Sequence, residues 1–297
     1  MMKKHAYMII AHTDLEMLGR LIHALDYPLN DLYIHIDKKV YNPELLEKFV
    51  TVHSNLSIIS SVDIRWGTYS VVECELLLLK TAIQKNYSYF HLLSGMDYPL
   101  KSCEEIYTFF EKSGKEFIHF SEERISNENM ERILFRHVNL GRFKTSKYKI
   151  VNKYYFVSDT LCCKLQRILR LQKPLLFKEY QKGSQWFSIT KGLAEYIINN
   201  FEIVKNAFEN TYIPDELFLQ TLVINSNWKE HLYDKSRDNS NNQNMRYIDW
   251  TRGNPYVFKK EDFNELVESD CMFARKFSTE IDSAILDMLD FKNKGEN

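Results

Sequence analysis

A glycine-rich phosphate loop is missing from this sequence. Nine glycines are scattered over 297 residues, and neither GxGxxG nor GxxxxGKS/T follows the first strand-like run, which disfavours dinucleotide-binding dehydrogenases and P-loop kinases. Excess positive charge is missing as well. Lys and Arg number 39 against 40 Asp and Glu, for a formal net charge of -1, whereas nucleic-acid binders concentrate cations to meet phosphates. The five cysteines, Cys74, Cys103, Cys162, Cys163 and Cys271, are odd in number and lack metal-ligand spacing; the Cys162-Cys163 neighbours suit one zinc site poorly, and a reducing compartment fits best. No segment reaches the roughly 20 apolar residues of a spanning helix. The opening "MMKKHAYMIIAHTD" is too short and interrupted for a signal peptide. A cytoplasmic location is therefore expected. Peripheral membrane contact stays open through "KLQRILRLQKPLLFKEY", which mixes basic and apolar residues at helical spacing but reads first as a packed surface helix.

What is present is a chain able to bury a large core, with 44% hydrophobic and 14% aromatic residues. Its first hundred residues alternate strand and helix. "AYMIIAH" (6–12) and "DLYIHID" (31–37) are compact apolar runs, and between them Leu15, Leu18, Leu21, Ile22 and Leu25 form one helical stripe, so the pattern predicts a parallel βαβ unit. "NPELLEKFVTVH" continues as a helix, "NLSIISS" as a strand, "VVECELLLLKTAIQKN" as a long helix and "YSYFHLLSGMDYPL" as a strand ending in a turn. In open α/β sheets ligands sit beyond the carboxyl ends of the strands, so His12, Asp37 and Asp97 belong on one rim. Each also has an ordinary reading: a strand-end Asp often caps a helix, and a lone His is often only a satisfied hydrogen-bonding residue.

Residues 115–182 differ in texture, mixing Arg, Lys and aromatics irregularly. Such side chains suit sugars and oxyanions, though each residue taken singly reads as solvated surface. Regularity returns at "GSQWFSITKGLAEYIINNF", a strand then a helix. The Asn-rich "DKSRDNSNNQN" (234–244) reads as a loop before strand-like "MRYIDW". Between these lies "TYIPDELFLQTLVINS" (211–226), where Asp215 and Glu216 follow a proline and precede an apolar run. The plain reading is a helix start, with acids at the positive end of the helix dipole.

The ordered motifs "IIAHTDLEMLGRLIHAL", "LYIHIDKK", "FHLLSGMDYPLKS", "GSQWF", "PDELFLQTL", "YIDW" and "FARKF" resemble the core-2/I-branching N-acetylglucosaminyltransferase and peptide O-xylosyltransferase family, from residue 6 to about 280. The resemblance implies an α/β fold of GT-A type, with a Rossmann-like N-terminal half and a central mixed, mostly parallel sheet flanked by helices. It implies one domain over 1–297, with a nucleotide-binding half (1–114) and an acceptor-binding and catalytic half (115–297). It further implies inverting transfer from a UDP-sugar without a metal, and no Asp-x-Asp element stands at a strand end.

By that resemblance Glu216 is the catalytic base, since inverting displacement needs a carboxylate to take the acceptor hydroxyl's proton, and Asp215 caps or orients. His12 falls in the uridine pocket, Asp37 near the ribose or base, and Asp97 beside the reacting sugar. Arg275 and Lys276 hold the diphosphate in place of a cation, with Arg252 as a possible third. Trp66, Trp186 and Trp250 stand at motif positions; Trp186 would wall the donor or acceptor pocket, or else be a core tryptophan. Arg132 and Arg136 are guesses for the acceptor site. No cofactor is expected beyond the donor substrate. Donor sugars consistent with the resemblance are N-acetylglucosamine and xylose, and the acceptor would be a glycan, in a bacterial setting one carried on a membrane or lipid. A metal-dependent GT-A enzyme and a catalytically silent glycan-binding relative are the competing readings.

Overall fold

The computed structural model describes residues 2–142 and 148–295. A six-stranded sheet runs β3-β2-β1-β4-β7-β6 in space, from β1 (His5–Ala11), β2 (Asn30–Ile36), β3 (Leu56–Ile59), β4 (Tyr89–Ser94), β6 (Phe117–Ile118) and β7 (Phe187–Thr190). The first four pair in parallel, while β7 runs antiparallel to both β4 and β6. A smaller sheet, β5-β9-β8, joins β5 (Asp97–Pro99), β8 (Arg246–Ile248) and β9 (Phe273–Arg275). The expected α/β class with a mixed, mostly parallel sheet is the one observed.

Helices fill the connections: α1 (Leu15–Ala24), α2 (Pro43–Leu46), α3 (Ser70–Ala82) and α4 (Cys103–Ser113), then α5 (Asn127–Leu134), α6 (Lys149–Ile168), α7 (Lys191–Asn199), α8 (Phe201–Phe208), α9 (Phe218–Ile224), α10 (Phe263–Glu268) and α11 (Ala284–Asn293). Successive β1 side chains serve opposite faces of the sheet, as strand geometry requires. Ala6, Met8 and Ile10 enter a core with α3 and α7 to α9, while Tyr7, Ile9 and Ala11 enter a second one with α1, α4 and α11. Local chemistry sets the ends. Ser102 and Glu105 close a reciprocal capping box on α4, and Asp14 accepts from the Met17 N–H at the start of α1.

Three expected elements differ. The helix expected over "NPELLEKFVTVH" is confined to Pro43–Leu46. The Asp26 carboxylate accepts N–H bonds from Val52, His53 and Ser54 at 2.6, 3.0 and 2.8 Å, which draws that backbone into a loop. The single run "YSYFHLLSGMDYPL" divides, because Asp97 turns back to accept the Ser94 N–H at 3.0 Å and the chain crosses into the smaller sheet as β5. Finally, the helix expected over "KLQRILRLQKPLLFKEY" (164–180) ends at Ile168 as the last turn of α6, and α6 is no packed surface helix of the usual kind: its buried residue is Asp159, and its apolar side faces outward.

Candidate active site

A cleft of about 1020 Å³ opens beside the smaller sheet and takes its walls from Trp66, Trp186, Glu216, Trp250, Arg252 and Arg275, among others. Residues far apart in sequence thus meet at one surface. Glu216 lies in a 3-10 turn, Pro214–Glu216, just ahead of α9. Ile213 enters that turn in a left-handed conformation, φ 48°, an uncommon state for a branched side chain. The plain helix-start reading holds in position, since Pro214 opens the turn and both acids lie in it just ahead of α9, although neither side chain bonds the backbone as a cap.

Two cations converge on the Glu216 carboxylate. Arg132 reaches Oε2 at 3.4 Å and Lys182 at 3.6 Å. Arg132 is itself fixed, donating to the carbonyls of Tyr212 and Ile213 at 2.9 and 2.7 Å and to Asn129 at 2.9 Å. Glu216 Oε1 has no partner among the described residues and is one-third exposed as a side chain, which leaves it open to a hydroxyl. Arg136 lies elsewhere, its backbone bonded to Gln166 on α6.

Asp215 lines the same cleft but is buried. Burial pushes its carboxyl up to about 7, and the neighbouring Glu216 charge adds to that. Glu75, buried on α3, is pushed well above the carboxylate range by burial and by Asp215, while a 2.8 Å bond from Gln185 opposes the shift. Sequence reasoning missed Glu75. A lone acid inside the apolar run "VVECELLLL" was the available signal, because a charged residue there must be paired or neutral. Lys182 was missed too.

β9 ends in Arg275, which lines the same cleft as Glu216, whereas Lys276, His12 and Asp37 are not among its lining residues. The Arg275 guanidinium lies 4.3 Å from the Trp186 ring centroid, a cation–π distance. Behind it, Asp97 faces Arg275 in the β5–β9 register and approaches Nη1 at 3.6 Å. Asp97 is fully buried and does not line the cleft, so its contact is with Arg275 and not with the cleft space. Burial raises its carboxyl above the usual range, against the pull of Arg275. Lys276 follows, half-buried, and makes no ion pair among the described residues.

His12 and Asp37 stand at the ends of β1 and β2, on the rim expected for them, and the Asp37 N–H bonds the Ala11 carbonyl at 2.9 Å. Surrounding protein lowers the His12 imidazole below its usual range. Arg275 lowers it further, Asp37 opposes, and Lys276 and Lys39 act with Arg275. His12 therefore shares its neighbourhood with both cations of "FARKF". Asp37 is buried, with Lys39 Nζ 3.6 Å away.

Arg252 lines the cleft, but its charge is committed: it pairs with Asp249, with Asp262 at 2.7 Å and with Glu265 at 2.9 Å. Those three acids leave it little to offer an incoming anion. Trp66 packs edge-on to Tyr212, ring centroids 6.0 Å apart, and Trp250 stands largely exposed at the cleft mouth. Among the described residues one trio could hold a metal ion, His137, Asp159 and Cys163, whose ligand atoms lie within 4.8 Å of one another; none of the three lines the cleft. A second cavity of about 800 Å³, lined by Asp63, Arg65, Glu73 and Phe201, contains none of the expected site residues.

The sequence profile of the family described as Core-2/I-Branching enzyme matches residues 5–270, most of the chain. The chain belongs to the Core-2/I-Branching enzyme family. Among its curated relatives is the Homo sapiens beta-1,3-galactosyl-O-glycosyl-glycoprotein beta-1,6-N-acetylglucosaminyltransferase, 26% identical over 96% of this chain and 68% of that one. Another is xylosyltransferase 2 of Rattus norvegicus, 24% identical over 96% of this chain. The chain spans about a third of that xylosyltransferase's length, 33%. The mouse xyloside xylosyltransferase 1, apo form, matches at TM-score 0.39 and 10% identity over 92% of this chain and 97% of that one, a likeness too remote to carry an inference. The resemblance read from the motifs is thus the family found, and its named relatives are glycosyltransferases.

Proposed function

We propose that this member of the Core-2/I-Branching family is an inverting glycosyltransferase that moves N-acetylglucosamine or xylose from a UDP-sugar to a hydroxyl of a glycan acceptor, without a metal ion. The observation that carries the reading is one cleft lined both by a carboxylate, Glu216, and by a fixed guanidinium, Arg275, backed by Asp97 and stacked on Trp186. In a single displacement the acceptor oxygen attacks the anomeric carbon, the bond to the UDP oxygen breaks, and the hydroxyl proton passes to Glu216. Arg132 and Lys182 hold the carboxylate in place for that transfer. Negative charge builds on the departing diphosphate. Arg275 forks phosphate oxygens and Lys276 adds a point charge, so the leaving group is stabilised where its charge develops. His12 and Asp37 would bound the nucleoside end, and Trp66 and Trp250 the sugar faces.

UDP release, measured across several UDP-sugars with a glycan hydroxyl acceptor and a chelator present, tests this reading. Release from UDP-N-acetylglucosamine or UDP-xylose that persists in chelator is expected. Turnover that appears only with added manganese would favour a metal-dependent transferase, and no turnover with any donor would favour a silent glycan binder.

A further inference from the structure

Helix α6 is built inside out. Ile150, Tyr154, Val157, Leu161, Leu165 and Ile168 recur at spacings of three and four, so they form one stripe along the helix. These side chains are 44% to 79% exposed. Two polar residues, Asp159 and Gln166, face inward. Asp159 accepts from His137 Nδ1 at 2.6 Å and from the Asn139 N–H at 3.1 Å, while Gln166 exchanges two bonds with the Arg136 backbone at 3.0 and 2.9 Å. Beyond the helix, Leu169, Leu171, Leu175 and Leu176 extend the exposed apolar surface. A run of this size is far more than the scattered apolar residues of an ordinary protein surface.

Charge is sorted onto the same segment. Residues 136–178 contain eleven Lys and Arg and one acid, Asp159, which leaves 28 basic and 39 acidic residues elsewhere from totals of 39 and 40. A chain that is neutral overall is thus strongly positive here and strongly negative in the remainder. Lys149, Lys153 and Lys164 stand exposed along one flank of the stripe at helical spacing.

We infer that the outer face of α6 seats this protein on a bilayer surface bearing anionic phospholipid headgroups. Such a surface offers an apolar layer to the stripe and negative charge to the lysine flank in the same plane, which is what an amphipathic helix lying in the interface needs. The lysine stems can follow the apolar layer while their ammonium groups stay with the headgroups. No helix among the described residues is long and apolar enough to cross a membrane, so α6 lies on the surface, not through it. A second copy docked on this face would set one strongly positive segment against another. The inner face of α6 leads back to the cleft: the His137 ring packs 5.9 Å from that of Tyr212, whose carbonyl holds Arg132 against Glu216. The bilayer would then lie on the Glu216 side of the cleft. This inference stands whichever sugar is transferred.

Vesicle co-sedimentation of the full chain tests it, with phosphatidylcholine vesicles made with and without phosphatidylglycerol. The parent should pellet with the anionic vesicles and not with phosphatidylcholine alone. Leu161→Asp/Ile168→Asp should abolish pelleting without changing the melting temperature or UDP release. Lys153→Gln/Lys164→Gln should weaken binding roughly 5-fold for each lysine, the factor that about 1 kcal/mol per basic residue gives. A parent protein left in the supernatant by both vesicles would overturn the inference, as would pelleting unaffected by the double aspartate variant. So would light scattering that shows a parent dimer, a monomeric double variant and no vesicle binding, a result that assigns the face to a second copy.

Discussion

Asp215 and Glu216 are neighbours with opposite surroundings, and that contrast makes separate behaviour testable. Asp215 titrates near 7 in the fold, whereas an aspartate in an unfolded chain titrates near about 4. Between those values the folded state keeps a proton that the unfolded state has released, so stability falls as pH rises from about 4 to 7. Below about 4 the contribution is fully present. Asp215→Asn should therefore flatten that decline in a melting-temperature series, and raise the melting temperature at pH 8 relative to the parent. Part of the slope should survive, because Glu116, buried and also pushed up to about 7, contributes with the same sign. Next to Arg275 in the chain, Lys276→Ala should weaken UDP affinity and slow its departure, with calorimetry and steady-state rates as the readouts. Unchanged UDP affinity and rate would remove Lys276 from that role.

Elements carry these residues to one place, and one glycine shows how tight the fit is. Gly183 donates its N–H to the Glu216 carbonyl at 2.9 Å, and a Cβ built there would come 1.7 Å from the His119 carbonyl oxygen. Gly183→Ala should cost about 1–3 kcal/mol or more in chemical denaturation, as overpacking against rigid backbone does, and should depress turnover through the shifted 3-10 turn. Much at this scale was legible in the sequence. The apolar runs at 6–12 and 31–37 became β1 and β2, and the stripe from Leu15 became α1, since periodicity reports burial directly. Long-range side-chain contacts were not legible. Asp26 unwinding the stretch after α2, Asp97 pulling β5 into a second sheet, and the polar side of α6 turning inward each depend on a partner many residues away. The same limit applied at the site: motifs placed Glu216, Arg275 and Trp186 among the candidates, but Lys182, the partners of Glu75 and the commitment of Arg252 to three acids needed coordinates.

At the scale of the molecule, the sheet takes strands from both halves of the chain, β4 pairing with β7. The cleft is assembled the same way, from Trp66 in the first half and Glu216 and Arg275 in the second. Charge is distributed at this scale too, positive along 136–178 and negative elsewhere, so vesicle binding should weaken as salt screens the headgroups. The proposed mechanism divides labour between cations at the end of β9, for the leaving nucleotide, and a single carboxylate, for the acceptor proton. Comparing Glu216→Gln with the parent for UDP-sugar turnover and UDP-sugar affinity, in chelator, tests it most directly. Turnover should fall by about 10²-fold or more, the usual scale for a lost general base, while donor affinity stays that of the parent. Equal turnover in the two proteins would contradict the assignment.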